Sequence, residues 1–184
     1  MKAASPVIFP KIHRFARDRR GVSAVEFALL APLMIGLYLG CAEISDGVSA
    51  SRKVSLISAT LANLSAQVGT ISTSDMTNIM DASTAIIAPY SASKLKMTIT
   101  CLSIDATGKA TVKWSATRNG TANTGVMTIP SALAVPNSQL LFAQASYAYT
   151  PAVGYTISGT LTLADKMYMS PRVTAPTYGA AACT

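Results

Sequence analysis

One carboxylate stands where carboxylates are costly. Glu26 lies in an apolar run that extends from Val22 to Ala42 with no other charged residue. A charged side chain in lipid costs roughly 2.5–3.5 kcal/mol on insertion scales, so such residues occur where a partner charge or a polar path repays the cost. Immediately upstream stand Arg19, Arg20 and Gly21. A cut between Gly21 and Val22 would create an α-amine on Val22, a cation at the membrane face. Glu26 of a neighbouring subunit could pair with that amine, and each charge would make the other tolerable at low dielectric. Such a pair would set the axial register of subunits in a helical bundle. The alternative is an interfacial glutamate that snorkels to the headgroups. Neither reading gives Glu26 a part in turnover.

Other chemistry is thinly represented. The single histidine, His13, precedes the apolar run, so the part that would follow a cut has no histidine for a base, a metal site or a triad. A Ser–Lys pair has no positional support. The three cysteines have neither CxxC nor zinc-ligand spacing, and the sequence implies no cofactor and no metal. Cys41 falls in the apolar run and reads as a free, buried thiol. Cys101 and Cys183 fall in the exported part, where disulfides persist. A bond between them would close a loop of about 80 residues and contribute up to ~4 kcal/mol in the chain-entropy model. Two unpaired thiols are the other possibility.

Charge is distributed as a topology signal. The 184-residue chain has a formal net charge of +7, but residues 1–21 alone hold six basic residues against Asp18. Basic residues before an apolar span hold that end in the cytoplasm. No basic stretch with interleaved aromatics follows, which argues against a nucleic-acid partner. Val22 to Ala42 is 21 residues, about 31 Å as a helix, enough to cross the hydrocarbon core. Its length, Glu26 and Pro32 argue against an ordinary secretory signal. Leu39-Gly40-Cys41 leaves open a lipoprotein acylated at Cys41, although Tyr38 stands where that motif usually has a leucine-like residue.

The elements that position these residues follow from periodicity. A long helix is expected from residue 22 to about 68, apolar all round at first and amphipathic later. Val54, Ile57, Leu61, Leu64 and Val68 make one stripe, with Ser55, Ser58, Thr60 and Asn63 elsewhere. Glu43 and Asp46 mark the exit from the bilayer, and Gly69 reads as a C-terminal stop. Pro32 removes the bond to the Ala28 carbonyl and predicts a kink, while Gly36 and Gly40 are spaced for close helix contact. A second helix is expected over about 72–88, capped by Ser72 or Thr73 and ended by Pro89. Two alternating strands, Lys94–Cys101 and Lys109–Ala116, are joined by a turn at Asp105–Gly108 and are each expected to bury one face. Asn119-Gly120 marks a turn, residues 121–136 a loop, and further strands are expected over about 139–149 and 155–169. The last dozen residues read as an irregular tail. The expected class is α+β: a long N-terminal helix packed on an antiparallel sheet of about four strands. The domain plan is a basic leader (1–21), a transmembrane helix (22–42), its amphipathic continuation (43–70) and an exported α+β domain (71–184).

Arg-Arg-Gly-Val-Ser-Ala-Val-Glu-Phe, followed by Ala28-Leu29-Leu30-Ala31-Pro32-Leu33, resembles the TadE-like family of the tight-adherence (Flp) pilus system. The resemblance spans mainly residues 17–68. Tyr149-Thr150-Pro151 and Tyr168-Met169-Ser170-Pro171-Arg172 are similar to stretches of TadE and TadG proteins. It implies a pilin-like fold and a minor pilin-like or assembly role without enzymatic activity. It also implies maturation by prepilin peptidase at Gly21–Val22, with Glu26 and Phe27 serving assembly. The implied partners are the membrane, prepilin peptidase, other pilin-like subunits and the assembly machinery. The implied location is the inner membrane in a single pass, with the N-terminus cytoplasmic and the C-terminal domain periplasmic. An uncleaved, TadG-like assembly factor remains an alternative. Asp81-Ala82-Ser83-Thr84-Ala85 resembles the metal-binding Asp-x-Ser-x-Ser of the von Willebrand A domains in larger TadG relatives; Ala85 breaks the pattern, and the second helix accounts for the segment.

Overall fold

The computed structural model describes residues 21–151 and 159–184. Residues 1–20 of the leader, and Tyr155 where the last strand is expected to begin, lie outside the described residues. The chain divides into two compact units, Met1–Ala42 and Glu43–Thr184.

Helix α1, Val22–Ala66, belongs to both units, and Pro32 lies inside it without ending it. In the second unit α1 packs on the sheet through Ala50, Val54, Ile57, Ser58, Leu61 and Ala62. This stripe is wider than the steps of three and four alone suggest, and it is rich in small residues. Small side chains let the helix lie close to Ala143 and Ala145 of the sheet, which are likewise fully buried. Ser58, expected off the stripe, is fully buried because its hydroxyl donates to Asp165 Oδ2 at 2.7 Å. Leu64 is only half-buried and Val68 is exposed, since the helix stops at Ala66 and Val68 no longer follows helical geometry.

Short strand β1 (Thr70–Ile71) leads to helix α2 (Thr73–Ala85). Ser72 and Asp75 form a reciprocal capping box, with Asp75 N–H donating to Ser72 Oγ at 3.1 Å and Ser72 N–H to Asp75 Oδ2 at 3.0 Å. The Ser72 hydroxyl, donating to Asp75 Oδ2 at 2.7 Å, and then the Ser72 N–H hold the Asp75 carboxyl below its ordinary value. Met76 and Met80 turn inward, and the helix ends at Ala85, short of Pro89.

The main sheet comprises β2 (Leu95–Ile104), β3 (Ala110–Arg118), β4 (Val126–Met127), β5 (Ser138–Tyr149) and β6 (Leu161–Met169). Its order is β4-β3-β2-β5-β6, antiparallel throughout. The class is α+β, with five strands where about four are expected; the addition is β4, two residues inside the expected loop. Asp105 builds the β2–β3 turn, its Oδ1 accepting from the N–H groups of Thr107 at 2.8 Å and Lys109 at 3.0 Å. Gly108 there has φ +83°, a conformation that suits glycine.

The alternation in β3 changes face midway. Cys101 pairs with Trp114, but Leu102 pairs with Val112, so Lys113 is an extra residue in the ladder. Trp114 and Ala116 therefore face α1, while Ala110 and Val112 join a second cluster on the opposite face with Leu102, Ile104, Leu140 and Phe142. That face is not uniformly wet as strict alternation predicts. Met127, Ile129 and Leu133, from the segment after β3, pack over its far half.

The C-terminal tail is ordered rather than irregular. Strand β7 (Thr177–Tyr178) pairs in parallel with β1. Arg172 N–H donates to the Ala66 carbonyl at 3.0 Å, satisfying the end of α1. Trp114 Nε1 donates to the Pro176 carbonyl at 2.9 Å, and its ring lies 5.6 Å from that of Tyr178. A Cβ on Gly69 would stand 2.5 Å from Thr174 Oγ1, so the tail passes close enough that Thr174 would have to shift to admit one. Cys183 and Cys101, both fully buried, are joined by a disulfide. Replacing both by Ser should cost about 4 kcal/mol in unfolding free energy, as expected when a loop of this length is released. It should also red-shift the emission of Trp114, the one tryptophan, as the tail lifts. Urea titration followed by fluorescence checks both.

Candidate functional site

The first unit presents its chemistry on an open helix. From Val22 to Tyr38 the large apolar side chains of α1 are exposed, with Phe27 at 71% and Leu29 at 74%. Such a surface has no counterpart in an ordinary soluble domain, and α1 is long and apolar enough to cross a membrane. Glu26 is exposed among these residues and has no hydrogen bond or ion pair among the described residues. Gly21 opens the described chain, and nothing would meet a Cβ there within 4 Å. Helical spacing puts Gly40 on the face of Glu26, fourteen residues and about 21 Å along the axis. Pro32, Gly36 and Gly40 recur every fourth residue on an adjoining strip, and both glycines are half-buried. Cys41 is an exposed free thiol on the same helix.

In the second unit α1 is held by a carboxylate clamp. Asp46 accepts from Tyr90 Oη through Oδ1 at 2.6 Å and from Tyr149 Oη through Oδ2 at 2.8 Å. Tyr90 follows α2 and Tyr149 ends β5, so one carboxylate ties α1 to both. The Tyr90 ring packs on Tyr147 at 6.0 Å and meets Tyr149 edge-on at 6.2 Å. Glu43, one turn before Asp46, is buried. Burial first, then the hydrogen bond to Asp46, pushes the Tyr149 phenol up to about 12. Tyr90 is raised for the same two leading reasons. About two turns after Asp46, Lys53 Nζ donates to the Ile86 carbonyl at 3.2 Å.

Of the residues singled out in the sequence, Val22, Glu26, Phe27, Pro32, Gly36 and Gly40 lie on α1 in the first unit, and Gly21 immediately precedes it. Cys101 and Cys183 meet in the core of the second. The tyrosine clamp was not anticipated: Asp46 reads as a bilayer-exit marker, and nothing local in sequence links it to Tyr149. Asp81 pairs with Arg118, while Ser83 and Thr84 hydroxyls donate to carbonyls of their own helix. Among the described residues no group of three or more metal-ligating side chains converges.

The family model for TadE-like protein matches residues 21–56. The match takes in Gly21, Glu26, Phe27, Pro32 and both glycines, and it continues past Asp46. It links the chain to assembly of the tight-adherence pilus, the work of a structural family not known for catalysis. No curated protein and no solved structure matches the chain.

A clamp of this kind has a defined alkaline limit. The raised phenol of Tyr149 contributes stability that is complete below its ordinary value of 10.0 and is lost as pH rises through about 12. Urea midpoints measured across that window should fall for the natural protein. Tyr149→Phe should flatten this part of the profile while lowering the unfolding free energy at neutral pH by about 1 kcal/mol or more.

Proposed function

We propose that this protein is a pilin-like subunit or assembly component of the tight-adherence pilus, anchored in the inner membrane by α1. Prepilin peptidase cuts between Gly21 and Val22. The new Val22 amine then meets Glu26 of a neighbouring pilin-like subunit. The observation that carries this reading is the coincidence of the TadE-like match with the first stretch of α1, Val22 to Ala42, whose large apolar side chains are exposed up to Tyr38 and which holds one carboxylate, Glu26.

The physics is that of paired charges in lipid. Neither the amine nor the carboxylate is stable alone among acyl chains, and together they neutralise each other over a short distance. An extracted subunit therefore exchanges lipid for the helix of its neighbour, and only one axial register satisfies both charges. Phe27 beside the acid adds apolar contact, and Gly36 and Gly40 let helices approach. The basic leader holds the cut site on the cytoplasmic side until cleavage, and the second unit lies in the periplasm.

The test is Glu26→Gln in a pilus-forming strain. The substitution removes the charge but keeps the shape, so the protein stays in the membrane. Breaking one partner of such a pair costs about 2–5 kcal/mol of association, so surface pili should fall by roughly tenfold or more. Normal piliation with Glu26→Gln would refute the charge-pairing role.

A further inference from the structure

The face of the sheet turned away from α1 has two unlike halves. The half near Ile104 is apolar and covered by the segment after β3. The half near Lys96 is polar. Across it Lys96 pairs with Ser146, and Thr98 is flanked by Thr117 on β3 and Gln144 on β5.

The turn after β3 closes over this polar half and is bonded to it at several points. Asn119, with φ 55°, donates through Nδ2 to the Leu95 carbonyl at 3.0 Å. Asn123 donates through its backbone N–H to Ser115 Oγ at 3.0 Å and through Nδ2 to the buried Thr100 Oγ1 at 2.9 Å. Gly120 presses on the threonine ladder: a Cβ there would stand 2.9 Å from Thr117 Oγ1. The result is a rigid wall beside a concavity of about 250 Å³.

What lines that concavity is chemically one-sided. Its side chains are a lysine, threonines, a serine and two carboxamides, with no apolar or aromatic residue and no acid. Thr98 at its base is 8% exposed and is already bonded to Thr117 Oγ1. Lys96, Gln144 and Ser146 make no side-chain hydrogen bond among the described residues. One unpaired cation, one amide and one hydroxyl therefore converge unspent on a space with room for a single pyranose ring. An apolar ligand finds nothing to bury against. A ligand with a carboxylate and neighbouring hydroxyls finds a charge-assisted bond and two neutral ones.

We propose that this concavity binds one carboxylated sugar unit of an acidic polysaccharide. Lys96 holds the carboxylate, and Gln144 and Ser146 take ring hydroxyls. The absence of an aromatic platform among the lining residues keeps the affinity for a single unit weak, so binding is read best with oligomers. The proposal rests on the geometry of the second unit and does not depend on the pilus assignment.

The test is saturation-transfer NMR on the full chain in detergent micelles, with an oligoglucuronate as probe. A neutral glucose oligomer of equal length and free acetate serve as the other arms. Transfer to the glucuronate ring protons is expected. It should fall about tenfold or more in Lys96→Ala and in Gln144→Ala, and persist in Lys113→Ala, which alters an exposed lysine elsewhere on β3. Circular dichroism checks that each variant keeps its strands, and Lys96→Gln replaces any that does not. No transfer, equal transfer to the neutral oligomer, displacement of the oligomer by an equal concentration of acetate, or transfer surviving both substitutions would each overturn the proposal.

Discussion

A polypeptide that leaves lipid cannot leave its backbone hydrogen bonds behind. An unpaired N–H or C=O among acyl chains costs several kcal/mol, so the chain must stay helical for as long as lipid surrounds it. Helix α1 meets that demand by not ending. It runs 45 residues from Val22 to Ala66, and its side chains change their surroundings while its backbone does not. The early residues are exposed and apolar; from Ala50 onward, small and branched residues are buried against the sheet. The rest of the second unit is built around that stripe. Strands β2 and β5 offer it their inner rows, and the tail satisfies its last carbonyl.

Two carboxylates on this one helix illustrate opposite ways of handling charge. Asp46 has both oxygens occupied by tyrosine hydroxyls, and its work is internal: it joins α1 to α2 and β5 through Tyr90 and Tyr149. Glu26 is exposed amid apolar side chains without a bond among the described residues. A residue of the first kind stabilises a domain. A residue of the second kind is costly in lipid and marks a candidate functional site. The TadE-like match covers Glu26 and Asp46, so the exposed acid and the clamped one fall within one matched stretch of helix.

Much of the architecture was legible in the sequence because it is governed by local rules. The extent of α1, the Ser72 cap of α2, the Asp105–Gly108 turn and the long strands all follow from periodicity and turn chemistry. What escaped depends on contacts between distant residues. The extra residue at Lys113 sends Val112 to the other side of the sheet, and a period-two pattern cannot register such a slip in advance. Ser58 looks like a solvent residue until Asp165 is brought to it across 107 positions. The tail is poor in strand-forming residues and is held by backbone pairing, Trp114 and Cys183 rather than by any pattern of its own. Of the candidate site, Gly21, Glu26 and the glycines were legible because a charge and small residues stand out in an apolar run. The tyrosine clamp was not, since a tyrosine at a strand end has no distinctive neighbours in sequence.

The central claim is that a new amine beside Glu26 makes α1 an assembly element. The most direct measurement is the N-terminal residue of the protein recovered from membranes of cells that carry the pilus system. The account predicts a chain that begins at Val22. Recovery of the chain with its Arg19-Arg20 leader intact would contradict it, and a start at Cys41 would replace it with a lipid-anchored protein.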